Sequence, residues 1–204
     1  MQSEKIIIVG GFPEIIELCE NSGYNILGII DAAPITAAYT MLGRDDIAKN
    51  IYQQYPDAKI VISPDLPHVR KKLVNYYREI GFRFASVISP KANISKSCVI
   101  GEGSIIQDFV NISSNVRIGA FVKLNTMSNI MHDSNIGDFV TIAPNAVILG
   151  CVSISGDSYI GANATILPGL SVATGITIGA GAVLTKNAEE SGVVYAGIPA
   201  KELK

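Results

Sequence analysis

An aliphatic residue recurs at every sixth position without a slip: Ile88, Ile94, Ile100, Ile106, Ile112, Ile118, Leu124, Ile130, Ile136, Ile142, Ile148, Ile154, Ile160, Ile166, Val172, Ile178 and Leu184. Small or β-branched residues follow four places after many of these beats, as at Cys98, Ser104, Val110, Val116, Val122, Ser128, Val140 and Ala146. A period of six fits neither the helical turn nor the two-residue alternation of a half-buried strand. It predicts a parallel β-helix, a triangular prism whose coils bury their beat residues against the coils above and below. Three hexapeptides close one coil, so residues three repeats apart should stack in columns.

The first 88 residues follow another rule. Short apolar strands are expected at "KIIIV" (5–9), "NILGII" (25–30), "AKIVI" (58–62) and "FASVI" (84–88), with a helix over 13–22 and another after residue 63. Ser63 and Pro64 suit the N-cap and first position of that second helix. Leu66, Val69, Leu73, Tyr76 and Tyr77 would form its inner face. Strands alternating with helices predict a small parallel, Rossmann-like sheet. The expected organisation is an α/β domain over 1–88, then a β-helical domain with a C-terminal tail over 89–204.

Composition closes off several functions. A net charge of -2 and a pI near 5.7 supply no basic field for nucleic acid or acidic membrane. No apolar run approaches the roughly 20 residues of a membrane span, and "MQSEKIIIVGG" does not read as a signal peptide. Cys19, Cys98 and Cys151 are odd in number and lack metal or redox spacing, which fits a reducing compartment. The expectation is a cytoplasmic protein.

Within the prism, Asn125, Ala143, Gly161 and Gly179 should form one column, with Thr126, Pro144, Ala162 and Ala180 beside it. Stacked strands lie about 4.8 Å apart, so this predicts a groove of roughly 14 Å, almost free of side chains, where a thin ligand could reach backbone amides. The prism also carries a single histidine, His132, followed by Asp133. Histidine is the usual base near neutral pH, and a carboxylate beside it can fix its tautomer and stabilise the imidazolium. Neighbours on a flat strand point apart. Asp133 can therefore serve His132 only where the chain turns.

The runs "NTMSNIMHDSNIGDFVTIAPNAVILG", "IGANATILPG", "IGAGAVLTKN" and "GIPAK" make the chain resemble the NeuD/PglD family of hexapeptide-repeat acetyltransferases, over essentially its whole length. The resemblance implies a left-handed β-helix and acetyl transfer from acetyl-CoA to a nucleotide-linked amino sugar, for O-antigen, capsule or glycan assembly. It also implies a homotrimer with sites between subunits, and no metal. By position it makes His132 the general base, Asp133 its carboxylate partner and Asn125 a neighbour of the acceptor. Thr141, Ala143, Gly161, Ala162, Gly179 and Ala180 would contact acetyl-CoA, with Pro199, Ala200 and Lys201 flanking its nucleotide end. The sugar nucleotide would meet Gly10, Gly11, Phe12, Pro13, Glu14, Asp31, Ala32 and Ser63. The turn "VGGFPE" departs from the family, which has small residues and a histidine where Phe12, Pro13 and Glu14 stand.

Other readings compete. A sialic-acid O-acetyltransferase would use the same scaffold. A prism-shaped carbonic anhydrase needs three zinc-binding histidines, and this prism has one. A dinucleotide-dependent dehydrogenase would want G-x-G-x-x-G, which "VGGFPE" lacks. A non-catalytic β-helix scaffold would leave the α/β domain and His132 without a task.

Overall fold

The computed structural model describes residues 3–33 and 39–203. It begins with β1 (Lys5–Val9), α1 (Pro13–Asn21), β2 (Asn25–Ile30), β3 (Met41–Gly43), α2 (Ala48–Gln54), β4 (Lys59–Ile62), α3 (Pro67–Ile80) and β5 (Arg83–Phe84). The five strands form one parallel sheet in the order β3-β2-β1-β4-β5. Helices cover both faces, which is why the strands are continuous runs of Ile and Val. Ile6 and Ile8 pack with Ile15, Ile16 and Cys19 of α1. Ile7, Val9, Ile60 and Ile62 pack instead with Ile51, Val74 and Tyr77 of α2 and α3. Strand order reverses between β1 and β4, so a crevice opens at their carboxyl ends.

Beyond β5 the backbone repeats two-residue strands joined by four-residue turns, from Val87–Ile88 to Val183–Leu184. These strands stack into three parallel faces of a left-handed β-helix. The first face carries Ile106, Leu124, Ile142, Ile160 and Ile178; the second Ile112, Ile130, Ile148, Ile166 and Leu184; the third Ile118, Ile136, Ile154 and Val172. All of these side chains are buried in one stacked core. The turns are tight. Ten non-glycine residues, Asp133 and Cys151 among them, take the left-handed backbone at φ between 55° and 61°.

Two local expectations are corrected. The strand expected over 84–88 is two strands: Arg83–Phe84 joins the α/β sheet, and Val87–Ile88 opens the first prism face against Ile105–Ile106. Ser63 does not cap a helix either. The helix starts at Pro67, with Leu66 at its N-cap position and exposed. Ser63 is buried, its hydroxyl within 2.8 Å and 2.6 Å of the Val9 and Gly10 carbonyls.

The helix α3 lies between its own sheet and the first prism face, so it is buried on two sides. Its Arg70 is 1% exposed. The guanidinium donates to the carbonyls of Pro64, Asp65, Phe121 and Phe139, and to Thr141 Oγ1, at 2.8–2.9 Å. Around it Phe121 stacks on Phe139 and meets Phe84 edge-on. One arginine thereby satisfies acceptors from both domains.

Candidate active site

His132 and Asp133 are the second and third residues of a turn that joins the second prism face to the third. Asp133 takes φ 59°, and that bend swings its carboxylate back beside its neighbour. His132 Nδ1 lies 2.8 Å from Asp133 Oδ2, and Asn115 donates to Oδ1 at 3.0 Å. These hydrogen bonds, His132 first and Asn115 second, hold the Asp133 carboxyl below its ordinary range. With Nδ1 engaged, Nε2 is the nitrogen free for chemistry.

Stacking sets the rest of this edge. Gly150 lies one coil below His132, and an ideal Cβ on it would stand only 2.6 Å from Nε2. The Nε2 end of the ring therefore lies against a glycine, where any larger residue would collide with it. Met131, Leu149, Gly150, Cys151, Pro168 and Gly169 line a groove of about 450 Å³ beside it. The sequence reading placed none of Asn115, Gly150 and Cys151 at this site, although each stands 18 residues from His132 or Asp133.

A second cluster lies at the crevice of the α/β sheet. Gly10, at φ 87°, has no room for a side chain because a Cβ would meet Ser63 Oγ at 2.5 Å. Asp31 accepts from the backbone N–H of Gly11 at 2.8 Å and of Ala33 at 3.0 Å. Burial works against its charge. The N–H groups of Ala33, Gly11 and Ala32 outweigh that and hold the carboxyl low. Phe12, Pro13, Glu14 and Ala32 are exposed at the rim.

Between crevice and prism stands a buried polar network absent from the sequence reading. Lys123, 1% exposed, donates from Nζ to the Ser63 carbonyl at 2.8 Å and pairs with Asp65 at 2.9 Å. Burial lowers its pKa and Asp65 opposes the change. The same carboxylate oxygen of Asp65 accepts from Asn125 Nδ2 at 3.3 Å. Asn125 Oδ1 is buried without a partner. A buried, unpaired amide oxygen costs about 1–3 kcal/mol unless a donor reaches it, which suits the hydrogens of an amine or hydroxyl.

The predicted donor column is in place but is not a bare groove. Asn125, Ala143, Gly161 and Gly179 stack on the edge between the first and second faces, with Ala143 and Gly161 buried. A Cβ on Gly161 would strike the Ala180 nitrogen at 2.5 Å, so this glycine serves close approach of coils. Ala180 is exposed and Ala162 half-buried. Thr141 differs from expectation. It is fully buried, and its hydroxyl sits between Arg70 and the Asp65 carbonyl, because its strand faces the α/β domain. Pro199 and Lys201, both exposed, belong to the tail that continues this edge below Gly179.

Within one chain, these elements do not converge. The α/β domain sits on the first face, and the His132 edge is the corner opposite that face. Each side of the prism is one hexapeptide, up to about 20 Å of chain.

No family model and no curated protein matches the chain by sequence. Solved structures do. PerB from Caulobacter crescentus, in complex with CoA and GDP-perosamine, superposes with a TM-score of 0.92 at 26% identity, over 98% of this chain and 97% of that one. The acetyltransferase domain of PglB from Neisseria gonorrhoeae, in complex with acetyl coenzyme A, gives 0.88 at 25% identity, over 99% and 100%. WeeI from Acinetobacter baumannii gives 0.83 at 29% identity, over 98% and 100%.

Proposed function

We propose that this chain, whose structural neighbours are hexapeptide-repeat sugar acetyltransferases of the NeuD/PglD type, moves acetyl from acetyl-CoA to the amine of a nucleotide-linked amino sugar. The observation that carries this reading is the His132–Asp133 bond at 2.8 Å, in a chain that superposes end to end on an enzyme solved with CoA and a GDP-amino sugar. The α/β domain, whose last strand is Arg83–Phe84, holds the sugar nucleotide, and the β-helix from Val87 onward performs the transfer. The N-acetyl reading is preferred to sialic-acid O-acetylation because the matched structure holds an amine-bearing nucleotide sugar.

The chemistry follows from the residues. An ammonium has no lone pair, so His132 Nε2 takes a proton from the amine as it attacks the thioester carbonyl. Asp133, bonded to Nδ1, stabilises the imidazolium that results. When the tetrahedral intermediate collapses, the C–S bond breaks and the imidazolium returns the proton to the departing CoA sulfur. Asn125 Oδ1 accepts from the acceptor group, held in place through Asp65. Asp31 keeps the Gly10–Gly11 turn shaped for the nucleotide. Ala162 and Ala180 flank the donor, and Pro199 and Lys201 meet its nucleotide end.

The separation of base and crevice makes the working unit an assembly. We assign a homotrimer in which the His132 edge of one prism faces the column edge and α/β domain of its neighbour. In the cell it works in the cytoplasm. Among the described residues no helix is long and apolar enough to cross a membrane.

Subunit mixing tests this arrangement. His132→Ala should lower turnover about 10²–10⁴-fold, and Asp31→Ala should weaken nucleotide-sugar binding. Co-refolding the two impaired variants should restore part of the activity, because some clefts then pair an intact base with an intact crevice. A mixture no more active than its components would place the whole site within one chain. A panel of GDP-, UDP- and dTDP-linked amino sugars, with free sialic acid, identifies the acceptor.

A further inference from the structure

We infer that the His132 edge is also a binding site for a thiophilic divalent cation, with Zn²⁺ as the matching ion. The donors are an imidazole nitrogen of His132, the thiolate of Cys151 and the carboxylate of Asp133. One ligand atom from each lies within 4.8 Å of the others, the one such group of three among the described residues. A tetrahedral zinc site with bonds of about 2.0–2.3 Å places its donors about 3.3–3.8 Å apart, so closure needs side-chain movements of about an ångström. All three side chains are exposed and free to make them.

The backbone fixes the set. Cys151 donates its N–H to the His132 carbonyl at 2.9 Å, which locks the two turns in register. Cys151 also occupies the left-handed position of its turn, φ 61°, where the same column has Asn115 and Asp133 above it and Gly169 below. Gly150 removes any side chain between His132 and Cys151. The open groove leaves the fourth position to water, as in zinc sites with three protein ligands.

Mixed nitrogen, sulfur and oxygen donors favour zinc over magnesium or calcium, which take oxygen ligands. On binding, the Cys151 thiol releases its proton to solvent. With Asp133 beside Nδ1, the ion takes that nitrogen and the remaining ring proton stays on Nε2, so His132 has no lone pair to act as a base and acetyl transfer stops while the ion is held. Binding depends only on the three side chains. The inhibition also rests on the proposed role of His132, and the two are tested separately.

Co²⁺ titration of the full-length protein reads binding through the thiolate-to-cobalt absorption in the near ultraviolet, and calorimetry with Zn²⁺ gives stoichiometry. One ion per chain is expected. Cys151→Ser should abolish the charge-transfer band and weaken Zn²⁺ binding at least about tenfold. Asp133→Asn should also weaken binding, and Mg²⁺ should neither bind nor compete. Zinc affinity unchanged in Cys151→Ser, or the absence of one-to-one binding, would overturn the proposal. Cysteine-dependent binding without inhibition would uphold the metal site and refute His132 as the base.

Discussion

Gly150→Ala should cripple the enzyme without unfolding it. The new Cβ would stand 2.6 Å from His132 Nε2 and 2.7 Å from Cε1. Carbon and nitrogen in ordinary contact sit about 3.5 Å apart, so the ring must retreat by about 0.9 Å. Within its own chain nothing confines it on the outer side, because the side chain is 55% exposed. Gly150 has no positive φ, so alanine suits its backbone. Gly150 is buried, but its only clash is with an exposed side chain that can swing away, so the stability change should stay within about 1 kcal/mol. Turnover should suffer far more. A misplacement near 1 Å costs about 10²-fold, and the ring would leave its bond to Asp133. We expect kcat to fall about 10–100-fold, equivalent to about 1.4–2.7 kcal/mol in the barrier. Steady-state kinetics with a nucleotide-linked amino sugar measures this, with urea unfolding as control. The same substitution made in a His132→Ala background should change nothing further. If it lowers the residual rate equally there, the glycine acts through something other than the imidazole and the reasoning fails.

Arg70→Met should destabilise the fold by about 3–5 kcal/mol, read as an earlier urea midpoint, since it strips donors from buried carbonyls of two domains. Burial pulls the guanidinium down to about 10, so it stays charged at neutral pH and Arg70→Lys should recover only part of the loss. The Asp31 carboxyl is depressed from its usual 3.8 in the folded state. Its contribution is complete above that value and drains away as pH falls through the lower folded one. Urea midpoints from about pH 6 to pH 3 should therefore decline more steeply for wild type than for Asp31→Asn. Cys19 is buried and pushed up to about 12, while Cys151 is exposed. A thiol reagent at neutral pH should modify Cys151 first and reach Cys19 only on unfolding.

The prism was legible because its physics is one-dimensional. A beat every six residues leaves one way to bury Ile106 through Leu184, and the positions of His132, Asp133 and Asn125 follow by counting. The bend at Asp133 could be stated in advance as a condition, and the backbone meets it. Gly150, Asn115 and Cys151 were available to the same count, had stacking been applied to the His-Asp pair as it was to the glycines. The seam was not legible. Nothing local marks Arg70 or Lys123 as buried, since only the docking of the α/β domain on the first face brings them the carbonyls of Ser63, Phe121 and Phe139. Thr141 was misread for the same reason. Ser63 looked like a helix cap because Ser-Pro is a strong local signal, and its actual task, bridging β4 to β1, is tertiary.

The last coil has a consequence for what the protein does at high concentration. A stack of parallel strands ends in raw edges, which invite another copy to continue the ladder. Residues 185–203 close all three. Val194–Ala196 and Lys201–Glu202 extend the first face and turn it antiparallel. Gly197 and Ala200 bond to Val183 on the second, and Ala188 bonds to Ser171 and Ala173 on the third. The other end is less covered, for Ile94 and Ile100 are only partly buried. Fibre growth by head-to-tail addition needs two complementary ends. With one end sealed, the first coil should find no template on another molecule, and the prism should not seed filaments.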